Sequence, residues 1–216
     1  AFDLNSDGSP DILDAGAAFS PPRSLRIDFT AAVSLRLQGS ITNLNVLDII
    51  TGSADFFLLQ RTVDVDVNGG GLNSVSATGD LRGAKLLTFI LRVPAAAAAG
   101  ELLRIGIDGV GIEVSSGELA IASLTPAETA DPRRWMSLKA RNLTTSLTGI
   151  PEITATLASI AVDLNQAKNS ANSALKVAPL NWKTSLDLNQ NGQFGEAADR
   201  LDPGEQLSVP SSLPFD

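Results

Sequence analysis

Apolar and polar residues alternate through most of the chain, and the alternation predicts strands. In "SLRIDF" Leu25, Ile27 and Phe29 share one face, and "AVSLRL" continues with Val33, Leu35 and Leu37. "TVDVDVN" sets Val63, Val65 and Val67 against Asp64 and Asp66. A period of two with β-branched residues marks half-buried strands. In "LRIGIDGVGIEV" Ile105 and Ile107 keep one phase while Val110, Ile112 and Val114 keep the other, so a β-bulge is expected at Gly109. "ITATL" followed by "IAVDLN" predicts a second phase change around Ala158 and Ser159. Residues 94–101, "PAAAAAGE", fit a short surface helix and a loop equally, because they carry no apolar stripe. Residues 165–176, "NQAKNSANSALK", read as a polar loop, with a turn or two of helix as the alternative. The expected fold is all-β and elongated. A β-sandwich and a β-roll or solenoid-like stack both satisfy the pattern.

The strand ends share a signature. "FDLN", "VDVN", "VDLN" and "LDLN" each put an Asp and an Asn at the close of an apolar run. Two of them lie far apart in otherwise similar surroundings. Asp3-Leu4-Asn5 recurs 184 residues later as Asp187-Leu188-Asn189, and Leu13-Asp14-Ala15-Gly16 recurs 188 residues later as Leu201-Asp202-Pro203-Gly204. A module followed by the opening of its successor is the simplest account. The expected organisation is an N-terminal joint over residues 1–22, a β-rich module over 23–186, and the start of the next copy over 187–216. Neighbouring copies in tandem are then the expected partners.

The first end stretch, "DLNSDGSPDILD", places Asp3, Asn5, Asp7, Gly8, Ser9, Asp11 and Asp14 at positions 1, 3, 5, 6, 7, 9 and 12 of a twelve-residue calcium loop. That spacing turns alternate oxygens toward one point and puts glycine at the sharp bend. Asp at the twelfth position has a shorter reach than Glu. The second stretch keeps Asp187, Asn189, Asn191, Gly192 and Gln193, but its twelfth position is Ala198, which leaves Glu196, Asp199 or Asp202 to close it. A third opening, Asp64, Asp66, Asn68 and Gly69, has only Asp80 to close a longer loop. Asp64 and Asp66 fit outward strand positions as well.

The first loop resembles the calcium loop of dockerins and related EF-hand-like repeats, "DxNxDGxxxxxD". The resemblance implies Ca2+ as the bound ion, with Asp3, Asn5, Asp7, Asp11 and Asp14 as side-chain ligands and Ser9 as a carbonyl ligand. With the long repeat and acidic loops, the chain is also similar in style to stalk modules of very large bacterial surface or secreted proteins, including adhesins with RTX-type export. This likeness implies an extracellular or cell-surface place and a structural role.

Composition narrows the alternatives. Hydrophobic residues make up 44% of the chain, enough for a core, and 16 basic against 24 acidic residues give a net charge of −8. Nucleic-acid binding needs clustered cations and is not expected. The chain has no Cys, His or Tyr, which removes the usual zinc ligands, a thiol nucleophile and a histidine base. No enzyme activity is expected. No apolar run is long enough to cross a bilayer. Two further functions have a footing in the sequence. Trp135 or Trp182, with Arg133, Arg134, Lys139 and Arg141, offers a glycan- or surface-binding site, although isolated Trp residues in β proteins also serve as core. Strands such as "KLLTFILRV" suit an apolar ligand.

Overall fold

The computed structural model describes residues 13–14, 20–21, 26–27, 32–46, 50–72, 79–93, 103–107, 110–153, 155–207 and 209–215. The fold is all-β. β1 (Leu13–Asp14) and β2 (Arg26–Ile27) pair with each other. The remaining strands form one antiparallel sheet of eight. They are β3 (Val33–Val46), β4 (Ile50–Val65), β5 (Leu81–Val93), β6 (Leu103–Ile107), β7 (Val110–Thr125), β8 (Arg133–Thr148), β9 (Ala155–Asn169) and β10 (Leu186–Asp187).

The long strands run as a meander, β3-β4-β5-β7-β8-β9. β6 pairs with both β4 and β7, and β10 adds a short ladder at one end of β4. At 13 to 16 residues the longest strands extend roughly 45–55 Å. At the phase change in "LRIGIDGVGIEV" the chain passes from β6 to β7, which pair antiparallel with Ile107 opposite Val110; the bulge expected at Gly109 falls on residues 108–109. Those two residues lie outside the described set. The second phase change is a bulge in a continuous strand. β9 pairs Ile160 with Leu143 and Leu157 with Thr145, and Ser159 takes a φ of +57°.

One face of the sheet carries the core. Phe57, Val63, Val65, Leu86, Ile90, Ala122, Leu124 and Trp135 come from β4, β5, β7 and β8. The second layer is an irregular C-terminal segment that contributes Leu180, Trp182, Leu186, Leu188, Leu201, Leu207, Leu213 and Phe215. Leu188, Leu201, Leu207, Leu213 and Phe215 thus share one core with β4, β5, β7 and β8. The segment turns through short 3-10 helices at Ala197–Asp199 and Pro203–Gln206.

Trp135 and Trp182 hold the two layers together. Both are buried, 1% and 2% exposed, so neither offers its ring to a sugar; the expected ligand contact at these residues is replaced by core packing. Trp135 Nε1 donates to the Ala178 carbonyl at 3.0 Å and Trp182 Nε1 to Asn165 Oδ1 at 3.1 Å. Asn165 returns a bond to the Leu180 carbonyl at 2.8 Å, and Trp182 stacks at a tilt on Phe215, 6.1 Å between centroids. The Arg133 guanidinium lies 5.3 Å from the Trp135 ring centre and chelates the buried Asp131 carboxylate. Lys139 Nζ donates to the Pro214 carbonyl at 2.8 Å. Two members of the basic cluster thus serve internal contacts.

Candidate metal centre

The loop after β10 is built on Asp187. The side chain is 2% exposed, and it accepts from the amides of Asn191 at 3.1 Å and Gly192 at 2.9 Å. Asn189 Oδ1 accepts from the Asn191 amide and Asn191 Oδ1 from the Gln193 amide, at 3.0 and 2.8 Å. Each amide oxygen keeps a second lone pair. The chain bends through left-handed Gln190 and Gly192, with φ of +61° and +80°. Glu196 Oε2 receives both Asn side-chain amides, 3.2 Å from Asn189 and 2.8 Å from Asn191.

Asp199 closes the loop one position after the expected twelfth, carried inward by the 3-10 turn at Ala197–Asp199. Its Oδ1 accepts from the amides of Leu188 at 2.8 Å and Asn189 at 3.3 Å. Its Oδ2 is buried and has no hydrogen-bond partner. A carboxylate oxygen so placed is unsatisfied, and burial makes that costly. Among the described residues no three acidic side chains gather closely enough to cage a cation by themselves. The loop's side-chain oxygens are mixed instead, with carboxylates of Asp187, Glu196 and Asp199 and amides of Asn189 and Asn191; Gln193, also expected as a ligand, enters through its backbone amide, which donates to Asn191 Oδ1. Such hard oxygens suit calcium, and the orphaned Oδ2 is the atom whose environment a cation would satisfy.

Arg61 of β4 is a member of this site that the sequence pattern did not reveal. Its Nη2 donates to the Leu188 carbonyl, and its Nε is buried without a partner. Burial lowers the guanidinium pKa, and the Asp187 and Asp199 carboxylates oppose that shift. Asp202 does a different job. Its carboxylate accepts from the Gly204 amide, the Ser212 hydroxyl and the Leu213 amide at 3.1, 3.0 and 2.8 Å, tying residues 202–213 into a closed loop.

The middle loop repeats the Asp187 loop with its frame two residues from the expected one. Asp66, not Asp64, takes the first position. Asp66 accepts from the amides of Gly70 and Gly71, Asn68 Oδ1 accepts from the Gly70 amide, and Asp80 Oδ1 accepts from the Val67 amide. These bonds have counterparts at Asp187, Asn189 and Asp199, while Asp66 accepts a further bond from the Gly69 amide and Asp199 a further one from the Asn189 amide. The left-handed positions match as well, with Gly69 at +79° and Gly71 at +80°. Position five, Asn191 in one loop, is Gly70 in the other and supplies no side-chain oxygen. Asp64 instead anchors a bulge. β5 carries an extra residue between Leu81 and Ala84, and the amide of Gly83 (φ +62°) donates to Asp64 Oδ1 at 2.7 Å.

Of the first expected loop, Asp3, Asn5, Asp7, Ser9 and Asp11 lie outside the described residues, while Asp14 is on β1 opposite Arg26. Comparisons with protein-family models, with curated proteins and with solved structures find no match for this chain. No helix among the described residues is long and apolar enough to cross a membrane.

Proposed function

We propose that this chain is a calcium-stabilised structural β-module of a bacterial extracellular or cell-surface protein, arranged in tandem with copies of itself as part of a stalk, adhesin or filament. Its role is mechanical and not enzymatic. The observation that carries this reading is the buried, unpartnered Oδ2 of Asp199 in a loop whose other side-chain oxygens come from Asp187, Asn189, Asn191 and Glu196. Calcium, when bound, supplies the positive charge that offsets the carboxylates.

The chain's own residues do the rest. Leu186 and Leu188 sit in the core beside Val63 and Val65. Asp187 stands opposite Asp64 on the β10–β4 ladder. Whatever tightens the 187–199 loop therefore tightens the layer that covers the sheet. Stabilisation by an ion that prefers the folded state grows with its concentration over the dissociation constant, reaching about 2.7 kcal/mol at a hundredfold excess. The sequence likeness of Asp3–Asp14 to this loop extends the proposal to the N-terminal joint.

Calorimetric titration with calcium, paired with melting curves in calcium and in chelator, tests it. Saturable binding is expected, with a rise in melting temperature. Asp199→Asn keeps one acceptor for the Leu188 amide, and it should remove most of the calcium-dependent rise. Wild-type protein with neither binding heat nor a melting shift overturns the proposal.

A further inference from the structure

The face of the sheet opposite the core is built in rows. Register pairing lines up Leu37, Leu58, Phe89, Ile121, Leu138 and Leu164 across all six long strands, every one apolar. The next row is Gly39, Phe56, Leu91, Leu119, Ala140 and Val162. On the other side of the Leu37 row lie Leu35, Leu87 and Met136, interleaved with Gln60, Ser123 and Gln166. Leu35, Leu37, Leu87 and Val162 are 40%, 48%, 38% and 41% exposed, which is high for aliphatic residues in such a band. Taking strands about 4.8 Å apart and rows about 7 Å apart, the band covers roughly 600 Å². That is the upper end of what a monomer exposes without a partner.

One corner of this face is cationic. Arg134 of β8 and Lys168 of β9 are register partners on the same face as Met136. Like charges directly opposite on a ladder repel, with Cβ atoms about 5 Å apart. Arg134 turns one nitrogen to the carbonyls of Asp131 and Arg133 and lies in the field of the Asp131 carboxylate, which is itself ion-paired with Arg133. Two cations on one rung of the ladder stand out in a chain of net charge −8. A groove of about 750 Å³ opens at this edge of the sheet, lined by Arg134, Met136, Gln166 and Lys168 from this face and by Trp135 and Pro179 from the core side. That volume is in the range of small-molecule sites. Beyond Met136 the β8–β9 pair leads directly to Leu138 and Leu164.

We infer that this corner binds a long-chain fatty acid. Its carboxylate lies between Arg134 and Lys168, and its tail runs along β8 and β9 over Met136, Leu138 and Leu164. The carboxylate removes the repulsion between the two cations, and the tail covers apolar surface that water otherwise contacts. Charge at one end and apolar rows beyond it are the chemistry of an anionic amphiphile. They do not fit a sugar, a neutral lipid or a nucleic acid.

The test uses oleate below its micellar concentration, with native mass spectrometry for stoichiometry and calorimetry for affinity. Saturable one-to-one binding is expected, and oleyl alcohol, with the same tail and no charge, should bind at least about tenfold more weakly. Arg134→Glu creates an ion pair with Lys168 in place of a repulsion but gives up the attraction to Asp131, so its melting temperature should change little while oleate affinity drops at least about tenfold. Leu138→Gln, at the tail, should weaken oleate and oleyl alcohol alike. Three results overturn the inference: no saturable oleate binding, oleate binding unchanged in Arg134→Glu, or oleate and oleyl alcohol bound equally. Concentration-dependent dimers that Leu138→Gln abolishes, without oleate binding, would assign the face to a second copy. Co-sedimentation with phosphatidylglycerol vesicles, without oleate binding, would assign it to a membrane surface.

Discussion

Arg61 reaches from β4 into the 187–199 loop and donates to the carbonyl of Leu188, in the field of both Asp187 and Asp199. It holds the loop to the sheet and acts there as a resident cation. A bound calcium ion and this guanidinium repel each other while drawing on the same carboxylates.

Replacing Arg61 with Met keeps the apolar stem and removes the charge. Calcium affinity should rise by about tenfold, because a repulsive charge near the ion is lost. In chelator the same variant should melt below wild type, because the carboxylates lose their internal counter-charge. Calorimetry and paired melting curves read both effects. Equal affinities in variant and wild type would place Arg61 outside the field of any bound ion.

The twin loops give a matched comparison. Asp66→Ala removes the acceptor for three amides, those of Gly69, Gly70 and Gly71, at 2.7, 3.2 and 2.9 Å. The loss should be about 2–4 kcal/mol, and the same in calcium and in chelator, because that loop has Gly70 where its twin has Asn191. Asp187→Ala should cost a similar amount in chelator and more in calcium. Urea titration with and without the ion separates the two, and equal calcium dependence at both sites would assign an ion to the Asp66 loop as well.

Much of this architecture is written in local pattern. The apolar run Leu86–Leu91, broken only by Thr88, marks β5 without reference to the rest of the chain, and the break at Ala158–Ser159 announces a bulge. The change of phase between Ile107 and Val110 did not separate one bulged strand from the two paired strands β6 and β7, because both produce it. The frame of the middle loop was not legible. "DVDVNGGG" fits with either Asp64 or Asp66 first, and the choice depends on where β4 stops. Pairing with Leu186 and Asp187, more than a hundred residues away, extends β4 to Val65 and leaves Asp64 to the Gly83 bulge. Non-local packing equally brings Arg61 to Leu188 and buries both tryptophans. Nothing in their own sequence neighbourhoods shows it.

Asp131 and Arg133 make the acid-sensitive link. Their side chains are 7% and 8% exposed and meet in a two-pronged ion pair, with Arg133 also donating to the Gly79 carbonyl at 3.0 Å. Burial pushes the Asp131 carboxyl up, but the hydrogen bonds and charge of Arg133 outweigh it and hold the group below its ordinary 3.8. Asp55 is also held low, by the Ser40 hydroxyl at 2.6 Å and by Arg92, against some burial. Carboxyls with a lower pKa in the folded chain bind fewer protons there. They add stability above the unfolded value near 3.9 and lose it as pH falls through the folded value. Urea midpoints should therefore be insensitive to these groups from pH 7 to about 5 and fall below about 4. Arg133→Met strands a buried carboxylate and should cost about 3–5 kcal/mol at pH 7. Arg133→Met combined with Asp131→Asn should recover most of that loss. A double variant as unstable as the single would assign the effect to lost packing on Trp135.

Gly117 sits where β7 and β8 come closest. Its φ is +126°, and a Cβ built there would lie 2.7 Å from Leu143 Cδ2 and 2.8 Å from Leu143 Cα. The ladder slips on both sides of Ser116, so this stretch of β7 is pressed against its neighbour by the register shift. Gly71 has a comparable left-handed backbone, +80°, but open space around it. Gly71→Ala should thus cost only the backbone penalty, about 1–2 kcal/mol. Gly117→Ala carries a collision with main chain as well and should cost clearly more, about 3–5 kcal/mol. Trimming the neighbour, Leu143→Ala, relieves the contact with Cδ2 and leaves the contact with Cα. The double variant should therefore stay close to the single in thermal melts. Full rescue by Leu143→Ala would mean that the side chain alone crowds Gly117, and that the two strands have room to move apart at the slip.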